Sequence, residues 1–147
     1  MGGKMSKPKS WEKFRFEYKR LSWLPWAKWK YVLTSAYIRV RTNLNPEEDI
    51  HTEFIHLYKS GVMIQLAGYA WNGESVSPYD TASSMRPSCG HDAGYQLISE
   101  GLLPPETRTI IDEEYGAECI KDGMWKWRVK RIRLALLKKF GGGFCKS

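Results

Sequence analysis

Long apolar runs are missing from this chain. No window approaches the roughly 20 consecutive apolar residues of a membrane-crossing helix, and charges break the first apolar run at once, so no secretory signal is read. Cysteine is scarce. Cys89, Cys119 and Cys145 show no metal-ligand spacing and leave one thiol over. That argues against a disulfide framework and for a reducing compartment, with a Cys89–Cys119 bridge left open. Internal repeats and low-complexity tracts are absent too. These gaps leave a soluble or peripheral protein.

The 147 residues suit a single domain, 1–147, with a core of its own. Aromatics make up 14% of the chain, with seven Trp, more than a small core needs, which places some of them at an interface. Charge is laid out in blocks. Residues 1–41 hold eleven basic and two acidic side chains, residues 42–123 four and fourteen, and residues 124–147 eight and none, for a net +7. Basic ends flanking an acidic centre attract it, and they also suit an anionic partner.

Residues 1–9 read as a flexible basic arm and 141–147 as a short tail. From Ser10, a candidate N-cap, Trp11, Phe14, Tyr18 and Leu21 fall on one helical stripe. A Trp-rich segment follows to residue 30, with Trp23, Trp26 and Trp29 around Pro25. Trp beside Lys suits a bilayer interface, a stacking platform or a protein contact. Tyr31 to Arg41 reads as a strand or a bent pair, and Glu53–Tyr58 with Val62–Trp71 as a hairpin turning at Gly61. His56 is expected to be half-buried in its strand, and His51 carries no pattern.

After a loop over 72–87, a helix is predicted from Pro87 or Ser88 to about Glu100, and a second from Pro105 or Glu106 to about Lys121. The short link makes them an antiparallel hairpin. A third helix is predicted over Met124–Phe140, burying Trp125, Val129, Ile132, Leu136 and Phe140 and exposing Trp127, Arg131, Leu134 and Lys138. The fold class is therefore α+β. A small antiparallel sheet over about 30–71 packs with a helical hairpin and a C-terminal amphipathic helix over about 87–140.

The chemistry concentrates around His91 and Asp92. On a helix His91 and Tyr95 share a face, while Asp92 points about 100° away. An imidazole titrates in the range a general base needs, provided a carboxylate orients its second nitrogen. The partner helix offers Asp112, Glu113 and Glu114. Asp112 is preferred because Asp112, Tyr115 and Cys119 form a stripe toward the first helix, with Tyr95 and Tyr115 placed to donate to it. Asp92, Asp80 and carbonyls near Asn72-Gly73 suit a hard cation, Ca²⁺ or Mg²⁺. The bland alternative is that His91 and Asp92 cap the helix start, within a polar network of Asp80, Arg108 and Asp112.

The ordered pattern Gly68-Tyr-x-Trp71-x-Gly73-x-Ser75, Pro78-x-Asp80, His91-Asp92-x-x-Tyr95 and Arg108-x-x-x-Asp112-x-x-Tyr115 resembles a domain family of unknown function from tailed phages and prophages. The likeness covers roughly 60–123 and implies a phage or prophage origin, in the host cytoplasm or packaged in a virion. A more local resemblance is to calcium-dependent secretory phospholipases. It implies His91 as base, Asp92 as calcium carboxylate, Tyr95 as support and Asp112 as orienting residue. Their cysteine framework is absent, most glycines of their calcium loop are missing, and the span from Asp80 to His91 is longer.

Two functions of different class follow as expectations. One is a His/Asp hydrolase at a membrane or cell-envelope interface. The other is a non-enzymatic virion-associated or host-interaction protein that binds a phage or host protein through its Trp and basic surfaces. Nucleic acid is the less favoured partner.

Overall fold

Branched and aromatic residues at alternating positions build two small antiparallel sheets where one was expected. The computed structural model describes residues 16–24, 26–73 and 82–140. Strands β1 (Tyr18–Arg20), β2 (Tyr31–Leu33) and β7 (Ala70–Trp71) form one sheet, in the order β1-β2-β7. The other has the order β3-β6-β5-β4, from β3 (Tyr37–Arg41), β4 (Ile50–His51), β5 (Ile55–Leu57) and β6 (Val62–Leu66). The run 31–41 is thus a bent pair whose halves serve different sheets. At the bend, the buried Ser35 hydroxyl accepts the Glu17 N–H at 2.6 Å.

The predicted N-terminal helix is corrected within the described residues. Tyr18 pairs with Leu33 and Arg20 with Tyr31, in strand register. The rings of Phe16 and Tyr18, two residues apart, both lie 6.0 Å from the ring of Trp71, which is fully buried. Docking on Trp71 rewards a two-residue period, and that nonlocal burial overrides the helical stripe. Residues 1–15, with Trp11 and Phe14, and the tail 141–147 lie outside the described residues. Leu21 N–H donates to the Lys30 carbonyl at 2.7 Å, so the Trp-rich segment leaves and rejoins the β1–β2 pair as a loop.

The hairpin β5–β6 turns at Gly61, whose φ is +91° and whose added Cβ would fall 2.4 Å from the Thr42 carbonyl oxygen. Only glycine fits both conditions. Leu57 sits opposite Met63, and Ile55 and Leu57 are fully buried with His56 half-buried between them.

Three helices follow: α1 (Ala82–Ser99), α2 (Arg108–Lys121, entered through a 3-10 turn at Pro105–Thr107) and α3 (Lys126–Phe140). Helix α1 starts earlier than predicted and carries Pro87 inside it. That proline forfeits one backbone bond, to the Ser83 carbonyl. The first turns are held in exchange by Arg86, which grips Glu118 of α2 and Asp122 at its C-cap. One core joins the sheets to α1 through Leu33, Leu57, Trp71, Cys89, Ala93 and Leu97. Truncating Leu97 to Ala would cost about 2–5 kcal/mol, as large-to-small core changes do.

Helix α3 buries Val129, Ile132 and Leu136 with Met124 against Tyr115 and Cys119 of α2. Trp125 does not join this stripe: it is 71% exposed, and Met124 fills the place assigned to it. Cys89 and Cys119 are both buried thiols, and no disulfide links them.

Candidate functional site

The two antiparallel helices bring His91 and Asp112 together. His91 Nε2 lies 2.8 Å from Asp112 Oδ1, where it donates, and the Tyr95 hydroxyl donates to the same oxygen at 2.7 Å. Arg108, one turn before Asp112 on α2, places Nη1 3.6 Å from Asp112 Oδ2. The imidazole is bracketed by the rings of Tyr95 and Tyr115, at 4.5 and 4.8 Å between centroids. Of the three neighbouring carboxylates only Asp112 turns toward α1. Glu113 pairs with Arg133 of α3, and Glu114 accepts the Asn43 N–H.

His91 and Asp92 stand in the middle of α1, ten and eleven residues into it, so neither caps its start. The capping alternative fails because the helix extends upstream through Pro87. A buried polar network does exist, joining His91, Tyr95, Arg108 and Asp112.

The electrostatics bear on what His91 can do. It is 7% exposed, and burial alone would push its pKa down. The hydrogen bond to Asp112 and the nearby Asp92 outweigh burial and hold the imidazole above its ordinary value. Tyr95 is pushed far up by burial and by Asp112, so its phenol keeps its proton and stays a donor.

His91 Nδ1 stands 3.8 Å from Asp92 Oδ1, an ion-pair separation beyond hydrogen-bond length. The same carboxylate is tied to the chain after β7, where Asp92 Oδ2 accepts the Asn72 N–H at 3.1 Å. Toward the expected Ca²⁺ or Mg²⁺, the described residues supply Asp92 alone, and no group of three ligating side chains occurs among them. Asp80 lies outside the described residues. One carboxylate already engaged by an amide is a poor fit for a hard cation that takes six or more oxygens, so no step is routed through a metal.

On its other side His91 borders a small apolar cleft between the β3–β6 sheet and the helix pair, walled by Val40, Leu44, Met63, Gly90 and Ile111. Its volume of about 40 Å³ admits a water molecule or two and no substrate.

The surface candidates are where the sequence placed them. Trp23 and Trp26 are 83% and 78% exposed, with the Arg20 guanidinium 3.6 Å above the Trp23 ring. Trp29 is half-exposed, and Lys28 stands 5.4 Å over it. On α3, Trp127, Arg131, Leu134 and Lys138 are all exposed, Arg131 lying 5.9 Å from the Trp127 ring centroid.

Three polar contacts escaped the sequence reading. The Arg86 clasp on Asp122 and Glu118 is one. Its signal was present: Arg86 is the lone Lys or Arg between Lys59 and Arg108. The fully buried Gln65 amide donates to the Cys89 carbonyl at 2.9 Å, pinning β6 to α1. His51 and His56 face each other across β4–β5 with their Nδ1 atoms 2.7 Å apart, so one must carry hydrogen and the other accept it. Among known proteins, this chain matches no family model, no curated protein and no solved structure.

Proposed function

We propose that the chain is a small hydrolase of phage or prophage origin acting on an ester at a membrane or cell-envelope surface. The observation that carries this reading is the division of labour at His91. Asp112, itself oriented by Tyr95, engages Nε2, and Nδ1 is left beside Asp92, beyond hydrogen-bond length. An imidazole held by a carboxylate at one nitrogen is oriented to take a proton at the other. In the proposed step Nδ1 takes a proton from water as its oxygen bonds to the ester carbonyl carbon. The alcohol then leaves with that proton as the carbon–oxygen bond breaks. The exposed Trp residues and the acid-free helix α3 supply the contact with an anionic surface. No helix among the described residues is long and apolar enough to cross a membrane, and we place the protein in the host cytoplasm or the virion.

A second reading rests on the burial of His91 and the two carboxylates that keep its proton on. In that reading the network locks α1 to α2, and the protein is a non-enzymatic virion or host-interaction component.

Fatty-acid release from anionic phospholipid vesicles separates the two, comparing wild type with His91→Gln and Tyr95→Phe, each checked for folding by circular dichroism. The hydrolase reading expects release by wild type, its loss in His91→Gln and a several-fold drop in Tyr95→Phe. Equal release from wild type and a folded His91→Gln removes His91 from any catalytic role.

A further inference from the structure

A second concavity lies away from the His91 ring, between the chain around β7 and the C-terminal half of α1. It holds about 260 Å³, several times the cleft beside His91. Trp29, Phe54 and Tyr69 give it aromatic walls, and Glu53, Glu100 and Gln96 its polar groups. Among the described residues its lining contains no Lys, Arg or His, in a chain of net charge +7. Gln96 donates to Glu100 at 3.0 Å and so steadies that carboxylate. Both glutamates are exposed, so they stay solvated until something covers them.

We propose that this groove binds an organic cation of the alkylammonium class, such as the amine end of a choline or ethanolamine group. Aromatic faces attract a cation through their quadrupoles, as the Lys28 ammonium 5.4 Å over the Trp29 ring already shows at one wall, and the two carboxylates add direct attraction. A neutral sugar would use the same aromatic walls but would gain nothing from the excess negative charge.

The groove runs toward the candidate site. Asp92 and Gln96 of α1 and Glu100, the residue after its end, follow one another at four-residue steps, and eight residues at helical rise span about 12 Å. Tyr69 lines the groove together with Gln96 and Glu100. The strand that walls the groove continues to Asn72, whose N–H holds Asp92. If the proposed hydrolysis is correct, the groove takes an amine-bearing headgroup while the ester lies beside His91. The binding itself does not depend on that reading.

The test is titration of the full-length chain, followed by NMR of the tryptophan indole N–H signals, with choline and with its neutral tert-butyl isostere. Choline is expected to bind and the isostere to bind at least several-fold more weakly. Trp29→Ala should weaken choline about 2- to 30-fold, the range of a cation–π contact. Glu100→Gln and Glu53→Gln should each weaken it, and His91→Gln should not. Equal affinity for choline and isostere, or full binding by a folded Glu53→Gln, Glu100→Gln double variant, overturns the proposal. Recruitment to phosphatidylcholine or phosphatidylethanolamine vesicles that free choline reverses identifies a lipid headgroup as the source of the cation. Choline binding without recruitment identifies a soluble amine. Hydrolysis without choline binding removes the groove and leaves the hydrolase; the converse does the reverse.

Discussion

Gly94 on α1 and Ile111 on α2 meet so closely that a Cβ added to Gly94 would lie 2.8 Å from Ile111 Cδ1 and 3.0 and 3.1 Å from its Cγ1 and Cγ2. Because all three atoms of the isoleucine are involved, no rotation of its tip relieves the clash. The close approach of the helices at this point is what lets His91 reach Asp112.

Gly94→Ala should therefore destabilise the protein although alanine is the better helix former. Overpacking costs about 1–3 kcal/mol, against a propensity gain of about 1 kcal/mol, so urea denaturation should show a small net loss. Gly116→Ala should be milder, since only Val129 Cγ1 stands as close, at 2.9 Å. A more stable Gly94→Ala would mean that the helices are free to separate.

Asp112→Asn should cost about 3–5 kcal/mol, the range for breaking a buried charge pair by removing one partner. Tyr95→Phe removes one hydrogen bond to a charged group and should cost about 1.5–3 kcal/mol. The order matters more than the values. Should denaturant curves rank Tyr95→Phe as the more damaging, Asp112 is not the centre of the network.

His91 links stability and activity to pH with opposite signs. Its folded pKa is raised above the ordinary value of about 6.5, so its contribution to stability is full below that value and lost as pH rises through the folded pKa. Hydrolysis needs the neutral ring and should rise over the same interval. Thermal melts and vesicle assays at stepped pH should show the two limbs crossing, and His91→Gln should flatten the stability limb. Activity that falls across that interval contradicts His91 as base.

Arg86→Met should destabilise by about 2 kcal/mol, less than a fully buried pair would, because the Arg86 side chain is 21% exposed. The acid side should move as well. Burial raises the Glu118 pKa, but Arg86 first and Lys121 second together more than reverse this and leave it below the ordinary carboxylate value. That contribution is present above the unfolded carboxylate pKa and lost as pH falls through the folded one. Without Arg86 the acid midpoint should shift to higher pH, which fluorescence-monitored acid unfolding will read.

Arg131→Glu combined with Lys138→Glu should weaken sedimentation with anionic vesicles, by about 1 kcal/mol for each basic charge removed near the surface. Neutral vesicles should show little change. Vesicle binding insensitive to both substitutions and to salt would exclude α3 as the contacting face.

The helical hairpin was legible because its signals are local. A short link and a four-residue stripe through Asp112, Tyr115 and Cys119 suffice to nominate the partner of His91. The strand at Tyr18 was not, because its stabilisation comes from Trp71, more than fifty residues later in the chain. The early start of α1 was hidden for a similar reason: proline is a local stop signal, and the Arg86 clasp that offsets it joins residues on different helices. Trp125 was misplaced by a helical stripe that fits Met124 nearly as well once the helix begins at Lys126.

Helix α3 rests on an apolar cluster separate from the one that joins the sheets to α1. A unit with its own small core melts on its own schedule, so amide exchange in α3 should report a lower opening energy than exchange in α1. Tyr115 belongs to that detachable cluster on one side and lies against the His91 ring on the other. Each time α3 peels away, Tyr115 loses the packing on its far side and holds the His91 ring less firmly. Breathing of the C-terminal helix is thereby passed to the His91 ring through Tyr115.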